Sequence, residues 1–253
     1  MDSVKVEYVE KPKLRQPILI EGLPGVGNIG YLAAEHLIDQ LKAKKLAKIY
    51  SKHLPSQVIV ERGGIVRLVS NELYYAKAPN NDLIILLGDA QASSPEGQYE
   101  MVDKFLDIAQ ELGVGMIYTL GGYALNRMVD EPRVIGAGTS DRVVKEAKEH
   151  GVIFVEGEPG GGIWGASGLL LGLGKARGIE GLCLMGETSG YGYLVNPKSA
   201  EKVLRILTSF IDVELDYSEL EKKAEEVEEF ASKIADMADF STEASKEDLR
   251  YIG

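Results

Sequence analysis

The sequence predicts an α/β protein: a three-layer, Rossmann-like fold with a mainly parallel sheet, an antiparallel β extension and a C-terminal amphipathic helix. Three observations carry this. Gln16 to Gly30, QPILIEGLPGVGNIG, passes from the apolar run Ile18-Leu19-Ile20 into glycines at 22, 25, 27 and 30, then into a helical pattern of Ala33, Ala34, Leu37, Ile38 and Leu41. Strand, glycine turn and helix in that order make the first unit of a parallel sheet. Further short apolar runs, Asp82 to Gly88, Gly115 to Leu120 and Gly181 to Gly186, have the continuous hydrophobicity of strands covered on both faces. Finally, Val213, Tyr217, Leu220, Ala224, Val227, Ala231, Ile234 and Ala238 recur in steps of four and three, a narrow heptad seam on a helix crowded elsewhere with Glu and Lys. The expected organisation is an α/β domain over 1–212, the helix over 213–238 and a polar, flexible tail over 239–253.

In chain order, Val4 to Val9 alternates apolar and polar and reads as an edge strand. Leu46 to Tyr50 reads as the second strand of the sheet. Val58-Ile59-Val60, Ile65 to Val69 and Leu73 to Ala76 are β-rich and are parted by Gly63-Gly64 and Ser70-Asn71-Glu72. They read as a meander of hairpins, the antiparallel extension. Within it Tyr74 and Tyr75 point to opposite faces, so at least one is expected to be exposed. Asp82 to Gly88, DLIILLG, is the expected central strand. Ser93 or Ser94 can cap the helix that starts at Pro95, with Glu96 in its first turn. That helix turns Met101, Phe105, Ile108 and Leu112 to the sheet and stops at Gly113.

Arg133 to Ala137 reads as a short strand, and Thr139 or Ser140 caps a helix running to His150, with Gly151 as its C-terminal cap. Val152 to Val155 reads as a strand. Glycines 161, 165, 168 and 172 fall at helical spacing, which predicts a buried helix packed closely against whatever covers it. Its N-terminus is a potential anion site, opposed by Glu156 and Glu158. A last helix runs from Pro197 to Phe210.

Composition limits the function. With 253 residues, 45% hydrophobic and 26% charged, the chain can form one large core or two small ones. A net charge of −11 without a basic stripe argues against nucleic acid as a partner. The single cysteine, Cys183, lies in an apolar strand and reads as an inert buried thiol in a reducing compartment. The longest apolar run, Ile163 to Gly174, is too short to span a bilayer, so a soluble, cytoplasmic protein is expected. The three histidines form no metal motif.

Two functional readings remain. Gly25-Val26-Gly27-Asn28-Ile29-Gly30 fits the G-x-G-x-x-G spacing, in which Gly25, Gly27 and Gly30 would bring backbone N–H groups to a phosphate. An enzyme of this kind, dinucleotide-dependent or ATP-grasp-like, would place Glu187 or Asp89 on a metal. The expected acidic residue after the second strand is absent, since Ser51-Lys52-His53 stands there, and no G-K-[ST] follows the glycines. The other reading makes the glycines packing residues. If topology brings Gly22–Gly30, Asp89–Ser94, Gly121–Tyr123, Glu156–Gly162 and Glu187–Tyr193 to one edge, they form a glycine- and tyrosine-lined rim with carboxylates but no catalytic set.

GLPGVGNIG, LLGDAQ, MIYTLGGY, GGGIWGASGLLLGLG and GETSGYGYLVNPKSA, in that order, resemble the archaeal proteasome-assembly-chaperone family, PbaA-like members in particular. The resemblance covers Ile18 to Phe210. It implies a Rossmann-like fold, no cofactor and no catalysis. It further implies a homo-oligomer or mixed ring, a pentamer among the options, and proteasome alpha subunits or a second chaperone-like protein as partners. Proteasome-binding members often end in hydrophobic-Tyr-any. Here Tyr251 is third from the end, followed by Ile252-Gly253, which favours action within a higher-order ring or beside a second subunit. The expected docking residues are Leu249, Tyr251 and Ile252 at the tip and Leu220, Val227 and Ile234 on the helix seam.

Overall fold

The apolar runs assemble into one mixed sheet with helices on both faces. A computed structural model of the chain describes residues 3–125, 127, 129–157, 160–189 and 195–230. In chain order these form β1 (Val4–Tyr8), β2 (Ile18–Glu21), α1 (Ile29–Leu41), β3 (Lys44–Ser51), β4 (Val58–Val60), β5 (Val66–Leu68), β6 (Asn71–Ala76) and β7 (Leu83–Gly88). Then come α2 (Pro95–Glu111), β8 (Met116–Ala124), β9 (Val134–Gly138), α3 (Asp141–Glu149), α4 (Gly165–Ala176), β10 (Glu180–Thr188) and α5 (Pro197–Ile211). A final helix, α6, covers residues 218–230.

The sheet order is β1-β3-β6-β7-β2-β8-β10-β9. β7, β2, β8 and β10 are parallel neighbours, and β9 closes one side antiparallel. On the other side β6, β3 and β1 alternate in direction. β3 therefore runs with the four central strands, so five of the eight strands share one direction. β3 does not neighbour β2, because β6 returns between β3 and β7.

Alternating burial along the central strands gives two cores. Ile18 and Ile20 of β2 face α1, α3 and α5, with Ala33, Leu37, Val143, Val203 and Leu207 among the packed residues. Leu19 faces α2 and α4, against Met101, Phe105, Leu106 and Leu170. Sheet between two helical layers is the predicted three-layer arrangement. Ser94 accepts a hydrogen bond from the Gly97 N–H at 3.1 Å and caps α2, and Ser140 caps α3.

Several expectations change. Val152 to Val155 is not a strand. Ile153 bridges once to Ile135, and the chain turns away at Gly157, which has φ 83°. Tyr75 is buried and Tyr74 half-buried, each phenol bonded to a glutamate, Glu10 and Glu72, so neither is a free surface ring. β4 and β5 leave the main sheet as a hairpin of their own. The C-terminal helix begins at residue 218, not 213. Asp212 ends α5 in the left-handed region, residues 213–217 have no regular secondary structure, and the Asp216 carboxylate accepts from the Ser218 N–H at 2.9 Å to start the next helix.

Candidate functional site

β7, β2, β8 and β10 present their carboxyl ends at one edge, where the loops after β7 and β2 meet the segment leading into α4. Between these loops lies an open cleft of about 400 Å³, walled by Leu23, Val26, Gln91, Tyr123, Ile163 and Met185. Trp164 stands at its mouth, 87% exposed. A crevice beyond the carboxyl ends of parallel strands is the usual ligand position in such sheets.

Glu21, the last residue of β2, is fully buried beneath this cleft. Its Oε1 accepts from the Leu23 N–H at 2.9 Å and its Oε2 from the Ser167 hydroxyl at 2.7 Å. Burial raises this carboxyl to about 7, against the opposing pull of those two hydrogen bonds. Nearby Cys183 is buried, and desolvation pushes its thiol up to about 12, so it is unreactive near neutral pH. Gln91 ties three segments together. Its Oε1 accepts from the Ala166 N–H at 3.0 Å and caps α4, and its Nε2 donates to the Pro24 carbonyl at 2.9 Å.

The glycine loop is packed from both sides. A methyl group on Gly30 would lie 2.1 Å from the Leu120 carbonyl oxygen, so α1 leans directly on β8. On β8 itself, Gly122 leaves room for the Val26 carbonyl, which a methyl group would approach to 2.3 Å. Gly27 sits at φ 63°, and its carbonyl accepts from the Asn196 N–H at 2.9 Å. Only Gly25 of the three faces the cleft without close neighbours. The spacing that suggested a phosphate turn is accounted for by close packing, and the nucleotide-enzyme reading is not favoured.

The two carboxylates that reading would place on a metal are both paired. Asp89 takes a bidentate contact from Arg67, at 2.6 and 2.8 Å, and a third hydrogen bond from the Ser70 N–H. Glu187 accepts from Arg133 Nε at 2.8 Å and from the Arg133 backbone N–H at 3.0 Å. Burial alone would raise both groups, but the arginine partners win and hold them below the ordinary carboxylate range. They also end strands three places apart in the sheet, about 14 Å, too far to share one ion. No three His, Cys, Asp or Glu side chains among the described residues could hold a metal.

The glycines of α4 do not form a packing stripe. Ala166, Leu170 and Gly174 face the body. Gly165 makes room for Gln91 and Gly168 for the Ile163 carbonyl, while Gly172 meets nothing. Gly165 and Gly168 accommodate the folded-over loop, while Gly174, outside that spacing, packs against Ile117 of β8.

Of the expected docking residues, Leu220 is 1% exposed and belongs to the α1–α5 core. This reassigns it to packing within its own protomer. The residues leading into α6 are fastened too: His36 Nε2 meets the Asp216 carbonyl at 2.7 Å, and the Tyr217 hydroxyl meets Thr208 at 2.8 Å. Val227 is half-buried beside Val129 and Val195. Ile234, Leu249, Tyr251 and Ile252 lie outside the described residues. α6 runs back toward the cleft edge, where Glu228 approaches Lys198 of α5 to 3.5 Å. The sequence reading missed Glu21 and Gln91. The one available signal for Glu21 was a carboxylate closing an apolar strand immediately before a glycine turn.

No described helix is long and apolar enough to cross a membrane. An uncharacterised protein of Methanocaldococcus jannaschii is 40% identical over 255 residues, covering 98% of this chain and 96% of that protein. Among solved structures, the archaeal proteasome activator PbaB of Pyrococcus furiosus matches with a TM-score of 0.87 and 41% identity over 93% of this chain and 100% of that one. Pyrococcus furiosus PbaA, a homologue of proteasome-assembly chaperone, matches with a TM-score of 0.75 and 24% identity over 98% of each chain. At that identity the likeness to PbaA is one of fold. The chain belongs to the PAC2 family, whose pattern matches residues 19–235.

Proposed function

We propose that this PAC2-family chain is a non-catalytic, proteasome-associated factor that self-associates, in a ring of which a pentamer is one form, and presents its carboxyl-edge rim and C-terminal tail to a partner. The observation that carries this is the state of the rim's acidic groups. Asp89 and Glu187 are neutralised by arginines and Glu21 is sealed under the cleft floor. A rim built this way offers shape and apolar contact, with Trp164 and Val26 exposed on it, rather than reactive groups.

The partner class follows from PbaB, a proteasome activator with 41% identity to this chain. Proteasome alpha subunits, or a second chaperone-like protein that acts with them, fit that relationship. In this scheme α6 leads the chain to the rim, with Val227 on its seam, and Ile234 and the tip residues Leu249, Tyr251 and Ile252 beyond it serve docking.

Native mass measurement of the full chain, alone and with proteasome alpha subunits, tests this. The expected result is a multiple of 27.5 kDa that grows when the subunits are added. A thermal melt with ATP or NAD is expected to show no ligand-dependent rise. A lone protomer that ignores the subunits and is stabilised by a nucleotide would overturn the proposal.

A further inference from the structure

β4 and β5 pair only with each other, outside the eight-stranded sheet. Val58 stands opposite Leu68 and Val60 opposite Val66, so these four side chains share one face of the hairpin, with Ile65 at its turn. All five are between 49 and 68% exposed. The other face is anchored: Arg67 binds Asp89 at the sheet edge and Glu61 on its own hairpin. The hairpin is thus held from behind with its aliphatic face turned to solvent.

Side chains this open leave ~400–500 Å² of contiguous apolar surface, the size at which a patch marks an interaction site. The edges are open as well. The Glu61 N–H donates to the Ile65 carbonyl, which makes 61/65 and 59/67 the bonded pairs. Val58, Val60 and Val66 therefore turn their N–H and C=O groups outward along two strand edges, and of the outward groups of Leu68 the carbonyl is taken by Arg67 at 3.2 Å. Beside the hairpin lies a groove of about 580 Å³, lined by Val58 and Leu68 of the hairpin and by Leu54, Pro55 and Val69.

We propose that this hairpin face and its groove are the contact between copies of this chain. A two-stranded ribbon is marginal by itself in water, whereas two ribbons together supply four strands and cover each other's apolar faces. With the groove walls included, each copy approaches the ~800 Å² per partner of a standard interface. Charge favours the same occupant. The chain carries −11 overall, but here Arg67 is paired with Asp89 and Glu61, so the patch is close to charge-balanced and two copies that repel elsewhere can meet on it. The proposal rests on the homo-oligomeric part of the function proposed above and can fail separately from it.

The test is native mass of the full chain carrying Val60→Lys and Val66→Lys, two exposed positions outside the main sheet. The expected result is a fall from the wild-type oligomer to 27.5 kDa, with the melting temperature of the body retained. In the wild type, amide exchange over residues 58–68 is expected to slow as protein concentration rises, which needs no variant to fold. An oligomer that survives both substitutions, or exchange that is independent of concentration, overturns this contact and leaves self-association elsewhere standing. A wild type of 27.5 kDa at every concentration overturns both proposals. Loss of alpha-subunit capture with the oligomer intact would assign the face to a foreign partner and overturn it as well.

Discussion

At the residue scale, Glu21 makes the strongest quantitative prediction. Its carboxyl titrates near 7 in the folded protein against 4.5 as a free group. A raised carboxyl means that the folded state holds its proton more tightly than the unfolded chain does. Relative to Glu21→Gln, stability is unaffected below the unfolded value and falls as pH rises from 4.5 to 7, by about 3 kcal/mol in all. Asp82, Asp89 and Glu187 are shifted down, so their stabilisation is present above their unfolded values and is lost as pH falls through the folded ones. The two windows do not overlap. Urea midpoints measured from about pH 5 to pH 8 should decline for the wild type and decline less for Glu21→Gln; parallel curves would show that Glu21 does not titrate there. The glycine loop gives a second prediction. Gly30→Ala puts a methyl group against a backbone oxygen that cannot swing aside and should cost more than ~2 kcal/mol, a fall of at least ~4 °C in Tm. Gly25→Ala, with no neighbour closer than 4.0 Å, should stay within ~0.5 kcal/mol of wild type. Equal effects at both positions would contradict the packing account.

At the element scale, what could be read from the sequence was what neighbours along the chain decide. Ser94-Pro95-Glu96 announces the start of α2 because cap, first-turn proline and acidic residue all act locally. The apolar runs of β2, β7, β8 and β10 likewise declared covered strands. What remained hidden depends on partners far away in sequence. The glycines of α1 and α4 report what folds over them, namely Leu120, Gln91 and Ile163, and spacing alone cannot name those neighbours. The heptad seam of α6 was visible, but whether Leu220 faces its own body or another chain depends on α1 and α5. The β4–β5 hairpin shows the same limit. Its strands are local features, while its attachment rests on Arg67 reaching Asp89, 22 positions on. That pair is bidentate and partly buried, so a double-mutant cycle on Arg67→Ala and Asp89→Asn should give a coupling near ~1 kcal/mol. Proteolysis in the 61–65 turn should quicken in either variant while the main melting transition stays. A turn cut no faster than in the wild type would show that other contacts hold the hairpin.

At the scale of the whole molecule, the cleft mouth, the hairpin tether and the end of α6 all lie toward the carboxyl edge of the parallel strands. A partner approaching this edge would meet the end of α6 and the cleft together. The two parts of the C-terminal stretch then separate by function. Residues 216–220 belong to the body through His36, Thr208 and the buried Leu220. Residues 231–253 are the part free to be assigned to docking. If the chain acts as proposed, one ending at Phe230 should keep the melting temperature of the full protein and lose capture of proteasome alpha subunits. A chain ending at Leu215 should lose capture and stability together. Removing one buried leucine side chain alone costs about 2–5 kcal/mol, several degrees in Tm for a domain of this size. If the Phe230 truncation bound alpha subunits as tightly as the full chain, the tail would have no part in recognition and the rim with its hairpin would have to supply all of it.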